Sequence, residues 1–260
     1  MKIKLLYLFL IAFVLLTFLP GCNYSKNDER ENGLNPKVTV PPIDTFVPID
    51  TETATFALGW FWGPDSRFGS IDGVIRTRVG YAGGTSSNPT YYNLDGHSET
   101  IQIDYDPAQI SYNELLDVFW DSHDPTVSSF SQQYSSIIFY HNEVQKRLAI
   151  ESKQQEEARL GRKIVTKIIP FSEFYLAEDY HQKYYLQREP ELMKDFNTIY
   201  PDTEDFVSST AAARVNGYVG GYGISEVLQE VVGSFGLSET GRNRLVEIAD
   251  RGLVPGCAIP

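Results

Sequence analysis

From Ala54 to Gln187 the apolar residues keep changing their spacing, from every second residue to every third or fourth and back. That interleaving restricts the chain to a sheet with helices laid on it. ATFALG (54–59) reads as a buried strand, and GPDSRFG (63–69) as a short helix that tolerates Pro64 in its first turn. GVIRTRVGYAGG (73–84) and SETIQIDYDP (98–107) alternate as strands, the second with Ile101, Ile103 and Tyr105 on one face. SYNELLDVFWDSH (111–123) predicts a helix with Ser111 as N-cap and Glu114 completing a capping box. SSIIFY (135–140) and KIVTKIIP (163–170) read as strands. Between them NEVQKRLAIESKQQEEARLG (142–161) is a long helix stopped by Gly161. LAEDYHQKYYLQ (176–187) reads as helical. The expectation is a two-layer α/β or α+β sheet with helices on one face, followed by a helical C-terminal extension over 188–260.

The N-terminus has a different character. Lys2 and Lys4 precede an apolar run that ends in LPGC at Cys22. This pattern resembles a lipoprotein signal over 1–21, cut before a Cys22 that then carries lipid. The alternative is an uncleaved anchor, although Leu5 to Pro20 is slightly short for a full span. Residues 22–53 are rich in Asn, Asp, Pro and Lys without an apolar period, which predicts a flexible tether. The expectation is an exported domain held at a membrane, in the cell envelope. The net charge of −12 argues against nucleic acid as a partner. Cys22 and Cys257 are the only cysteines, so a lipidated Cys22 leaves Cys257 alone and excludes a disulfide framework.

Chemistry concentrates around ALGWFWGPDSRFG (57–69), where aromatic residues crowd between glycines. Such a stretch suits a pocket wall on a strand-to-helix turn. Glu99 opens a strand after GHS, and Tyr91, Tyr92 and Tyr134 lie in loops beside polar residues. His97, His123 and His181 lack metal-ligand spacing, so no metal is expected. His97 and His123 read as turn residues that hydrogen-bond backbone, and His181 as a polar residue on a helix face. Arg76 and Arg78 read as the outer face of a strand, and QQEEARLG as a solvated helix face. These residues alone describe an aromatic pocket with one carboxylate.

The order of segments adds a resemblance. GWFWG, GVIRTRVGYAGG, NPTYYN, GHSETIQIDYDP, ISYNELLDVFWDSHDPT, QYSSIIFY and FYLAEDYHQKYY together resemble the A-type peptide methionine sulfoxide reductases over about 54–187. The resemblance implies an α+β, ferredoxin-like two-layer sandwich. It implies no bound cofactor, methionine-S-sulfoxide in proteins as substrate, and an external thiol reductant of thioredoxin type. In that family the first motif reads GCFWG and its cysteine attacks the sulfoxide sulfur. Carried across, Phe61 and Trp62 form an apolar wall for the methyl group. Glu99 gives a proton to the departing oxygen, and Tyr91 and Tyr134 hydrogen-bond it. The physical logic is that a carboxyl packed among aromatics stays protonated near neutrality.

Two positions depart from the pattern. Trp60 stands at the nucleophile position, and an indole does not attack a sulfoxide. The stretch HDPTVSSFSQQY is short and offers Ser129 where the family often has an acid. Four readings follow: a reader of methionine sulfoxide that has lost its chemistry; a reductase whose missing thiol is Cys257, otherwise the candidate resolving thiol; a chain whose codon 60 encodes cysteine or selenocysteine; and an envelope scaffold that keeps only the fold.

Overall fold

The computed structural model describes residues 40–46 and 48–252. Cys22, Cys257 and the signal segment lie outside the described residues. Strand β1 (Glu52–Leu58) leads through a turn into helix α1 (Trp62–Gly69), and then come β2 (Val74–Ala82) and β3 (Ser98–Tyr105). Helix α2 (Tyr112–Trp120), β4 (Ser136–Tyr140), helix α3 (Glu143–Leu160), β5 (Lys167–Pro170) and β6 (Phe174–Leu176) complete the sheet region. The sheet order is β5-β4-β1-β3-β2-β6. Every pairing is antiparallel except β4 with β5, which makes the fold α+β.

Local signals account for several of these boundaries. Ser111 accepts the Glu114 N–H while the Glu114 carboxylate accepts the Ser111 N–H, so the expected capping box starts α2. A cap of this kind stabilises a helix by about 1 kcal/mol. Gly161 sits at φ 61° after α3, in the left-handed region that ends a helix most easily with glycine. Gly59 has φ 93° directly after β1, with open space where a Cβ would stand. Backbone conformation, not crowding, requires glycine there.

One apolar core lies between the sheet and helices α1, α2 and α3. Phe56, Ile101, Ile103, Tyr105, Phe68 and Phe119 are among its buried members. The alternation along β3 places Glu99 on the same face, at the strand's beginning. Arg76 and Arg78 both pair with Asp104, at 2.6 and 2.9 Å.

The second core belongs to the C-terminal helices. These are α4 (Tyr184–Gln187), α5 (Pro190–Ile199), α6 (Thr203–Ser208), α7 (Thr210–Val219), α8 (Ser225–Val231) and α9 (Glu239–Asp250). Leu186, Phe196, Val215, Phe235 and Leu245 are buried together there. The extension is fused to the sheet region through α1 and α7. A Cβ on Gly69 would stand 2.5 Å from the Ala213 carbonyl oxygen, and one on Gly217 would stand 2.6 Å from the Ser70 Cβ. Asn216 adds polar ties: it accepts the Leu186 N–H, and its backbone carbonyl accepts the Ser66 hydroxyl.

Two expectations differ from the structure. The tether predicted over 22–53 is anchored before it ends, because Pro42–Thr45 forms a 3-10 turn. Asp44 there accepts hydrogen bonds from Ser209, the Ala211 N–H and the Tyr200 hydroxyl. The helix predicted over 176–187 is broken into the end of β6, a 3-10 turn at Asp179–His181, and the single turn of α4. Tertiary bonds override the local pattern. The Gln182 amide accepts the Val79 N–H and donates to the Val79 and Ala177 carbonyls, in the manner of a paired strand. Lys183, at φ 49°, sends a fully buried ammonium to Asp65 and to the Thr77 carbonyl, at 3.2 and 2.6 Å.

Candidate functional site

Where β1 ends, α1 begins and β3 starts, the chain leaves a cavity of about 110 Å³ lined by Trp60, Trp62, Tyr91, Glu99 and Tyr134. That volume is about four times a water's share of the liquid, room for a group of a few heavy atoms. Trp60 does not plug it. The indole is 46 % exposed and stands edge-on to Tyr134 and Trp62, with ring centroids 5.9 and 6.5 Å away.

Glu99 is the cavity's carboxylate and is only 3 % exposed. Its Oε2 accepts the Phe61 backbone N–H at 3.1 Å, and its Oε1 accepts the Gln133 side-chain amide at 2.8 Å. Burial pushes its pKa up to about 7, against the pull of those two donors. The carboxyl is therefore divided between its acid and its ionised form near neutral pH. The Tyr134 hydroxyl is pushed up to about 12, by burial first and then by Glu99, so it remains a proton-bearing donor.

A second layer fixes the walls. The Trp62 ring stacks on Tyr184, and its Nε1–H donates to His181 Nδ1 at 3.1 Å. That bond sets the His181 tautomer, with its proton on Nε2. Nε2 is buried without a hydrogen-bond partner, 4.0 Å from Glu178. Burial lowers the His181 pKa, with Glu178 opposing, which favours the neutral ring. Glu178 itself accepts the Tyr81 hydroxyl at 2.7 Å and the Tyr91 backbone N–H at 3.1 Å. Burial raises the Glu178 pKa, but these bonds outweigh it and hold the group low, as a carboxylate.

Trp60, Trp62, Tyr91, Glu99 and Tyr134 thus converge. Phe61 does not join them as wall. Its ring is 2 % exposed and packs against Tyr81 and His181, while its N–H holds Glu99. Tyr92, at 91 % exposed, points away into solvent. Ser129 is exposed, and its hydroxyl bonds the Ser131 carbonyl outside the cavity. His97 and His123 bond the Ser86 and Phe119 carbonyls. His181 is no helix-face residue; it is buried behind Trp62 and Tyr91. Glu156 in the acidic run is likewise buried, against Arg159. Gln133, Glu178 and Tyr184 were not singled out by sequence, though Gln133 adjoins Tyr134 and the other two lie within the EDYHQKYY stretch. Among the described residues no three of His, Cys, Asp and Glu come together as a metal site requires.

Known proteins resemble this chain in sequence and in fold. The family described as peptide methionine sulfoxide reductase matches residues 52–214. That match passes Gln187 and takes in the first half of α7. A peptide methionine sulfoxide reductase of Drosophila melanogaster is 40 % identical over 219 residues, 84 % of this chain and 85 % of the fly protein. The archaeal enzyme of Methanothermobacter thermautotrophicus is 47 % identical over 150 residues, 54 % of this chain and 88 % of its own. Among solved structures, reduced Mxr1 from Saccharomyces cerevisiae superposes with a TM-score of 0.51 at 31 % identity, covering 56 % of this chain and 89 % of the yeast one. By sequence and by fold, the chain belongs to the A-type peptide methionine sulfoxide reductase family, with tryptophan at position 60.

Proposed function

We propose that this chain recognises methionine-S-sulfoxide in proteins and, with Trp60 in place, holds the group without reducing it. The observation that carries this reading is the cavity itself, open beside Trp60 and floored by a carboxyl that titrates near pH 7. A methyl sulfoxide presents a methyl group for the Trp62 ring and a strongly accepting oxygen. Protonated Glu99 donates to that oxygen, and Tyr91 or Tyr134 supplies a second, uncharged donor. What is missing is an electron pair for sulfur: the described residues include no cysteine. On this reading Cys22 and Cys257 serve elsewhere, Cys22 as the lipid anchor of an envelope protein.

The test is a gain of function. Trp60→Cys restores a thiol that attacks sulfur while Glu99 protonates the oxygen. The products are methionine and a cysteine sulfenic acid, which a thioredoxin-type dithiol reduces to thiol and water. The expected result is binding of a methyl-sulfoxide peptide without turnover by the natural chain, and turnover with dithiol by Trp60→Cys. Turnover by the natural chain with Trp60 verified by mass overturns the proposal.

A second reading is favoured by one observation: the proton donor and the oxygen donors around position 60 form a complete set. Such a set is what an active nucleophile would need. On that reading the codon at 60 specifies cysteine or selenocysteine in the cell, with a thioredoxin-like reductant as partner. Reading the codon and weighing the residue-60 peptide of the natural protein decides between the two.

A further inference from the structure

Beyond the sulfoxide, we infer that the same cavity binds methylated onium groups, such as a trimethylammonium or dimethylsulfonium head, with Glu99 as counter-charge. The inference rests on the shape and charge of the cavity and not on the sulfoxide reading. Trp60, Trp62, Tyr91 and Tyr134 supply aromatic lining. Trp60 meets Tyr134 at 62° and Trp62 at 61°, so neighbouring rings stand as adjoining walls and not as a stack. Rings set this way turn more than one π-face or edge toward a guest, and tryptophan attracts a cation most strongly. The half-exposed Trp60 indole gains a cover when the cavity fills.

Charge points the same way. Among the described residues Glu99 is the only carboxylate that lines the cavity, and no lysine or arginine lines it. The groups that face Glu99 are uncharged at neutral pH. They are Tyr81 from β2, Tyr134 and Gln133 from the 3-10 turn Gln132–Tyr134, and the Phe61 N–H ahead of α1. Behind the walls His181 is neutral, and the Glu178 carboxylate adds negative potential. The ionised Glu99 is thus a buried anion supported by two neutral donors and lacking a cationic partner, which is an unfilled place for a cation. An onium head fits that place because its methyl groups shed water easily and contact the rings while its charge is shared among them.

The two ligand classes require opposite states of one group. A sulfoxide oxygen accepts from protonated Glu99, so its binding weakens as pH rises through about 7. An onium cation pairs with ionised Glu99, so its binding strengthens over the same interval.

The experiment titrates the full chain, by tryptophan fluorescence and calorimetry, with choline, its neutral carbon isostere 3,3-dimethyl-1-butanol, and dimethyl sulfoxide, at pH 5.5 and 8. Choline is expected to bind at least tenfold tighter than the isostere at pH 8 and to lose that advantage at pH 5.5. Glu99→Gln, folded by circular dichroism, is expected to abolish the advantage, and Trp60→Cys to weaken choline about tenfold. Equal binding of choline and the isostere at pH 8 overturns the inference, as does an advantage that survives Glu99→Gln. Sulfoxide binding without choline binding overturns this inference alone. Choline binding without sulfoxide binding supports it and removes the sulfoxide reading instead.

Discussion

The indole of Trp62 lies flat on the ring of Tyr184, with centroids 3.7 Å apart and planes 4° from parallel. A wall of the cavity is thereby braced from α4, at the start of the C-terminal helices. Arg188 covers Tyr184 in turn and donates to its hydroxyl at 2.9 Å. An aromatic pair of this kind is worth about 0.5–1.5 kcal/mol beyond its buried area. Tyr184→Ala is therefore expected to weaken ligand binding by roughly 2- to 12-fold. Tyr184→Phe keeps the stack and should bind as the natural chain does. Dissociation constants of the two variants check the brace.

Glu99 makes folding stability depend on pH in a direction unusual for a carboxylate. Its folded pKa is raised from 4.5 to about 7, so the folded chain holds a proton that the unfolded chain has released. Stability from this group is fully present below pH 4.5, falls across the window up to about 7, and stays low above it. The loss is at most about 3 kcal/mol. Glu99→Gln should flatten this slope and be the more stable form at pH 8. Urea midpoints at pH 5 and pH 8 measure it.

The Asp65–Lys183 pair is fully buried, so losing either partner strands the other's charge. Asp65→Asn or Lys183→Met is expected to cost about 3–5 kcal/mol. A Leu–Met double replacement should recover much of that loss. Thermal or urea unfolding of the three variants provides the comparison. Because Asp65 sits in α1, the single variants should also blunt binding in the cavity.

Gly217 permits α7 to approach α1 at backbone distance. Gly217→Ala places a methyl 2.6 Å from the Ser70 Cβ and 2.7 Å from its Cα, which a side-chain rotation cannot relieve. Overpacking of this sort costs about 1–3 kcal/mol. Gly233→Ala, with open space around it, serves as the control and should be nearly neutral. Denaturation midpoints distinguish the two.

Much of this architecture was legible in the sequence because its signals are local. The capping box of Ser111 and Glu114, the stop at Gly161, and the alternation that puts Glu99 on the face of Ile101 all act within a few residues. The family resemblance drew attention to the four aromatic residues and the carboxylate that line the cavity. What escaped was everything carried by long-range bonds. LAEDYHQKYYLQ has a helical pattern, yet Gln182 and Lys183 are spent on β2 and Asp65, more than 100 residues earlier in the chain. His181 looks like any polar residue until Trp62 is seen donating to it. Phe61 looks like a wall because its neighbours are; only its backbone direction shows that the N–H, and not the ring, serves the site.

Helix α1 is gripped from both sides, by Phe68 in the sheet core and by Ser66, Gly69 and Ser70 against α7. A guest too wide for the cavity meets a braced side at Trp62, and the Tyr91 segment opposite is tied to Glu178 through its backbone N–H. Past the half-exposed Trp60, by contrast, whatever the guest is attached to runs out into solvent. On the proposed reading, the cavity fits the tip of a side chain and sets no demand on the chain that bears it.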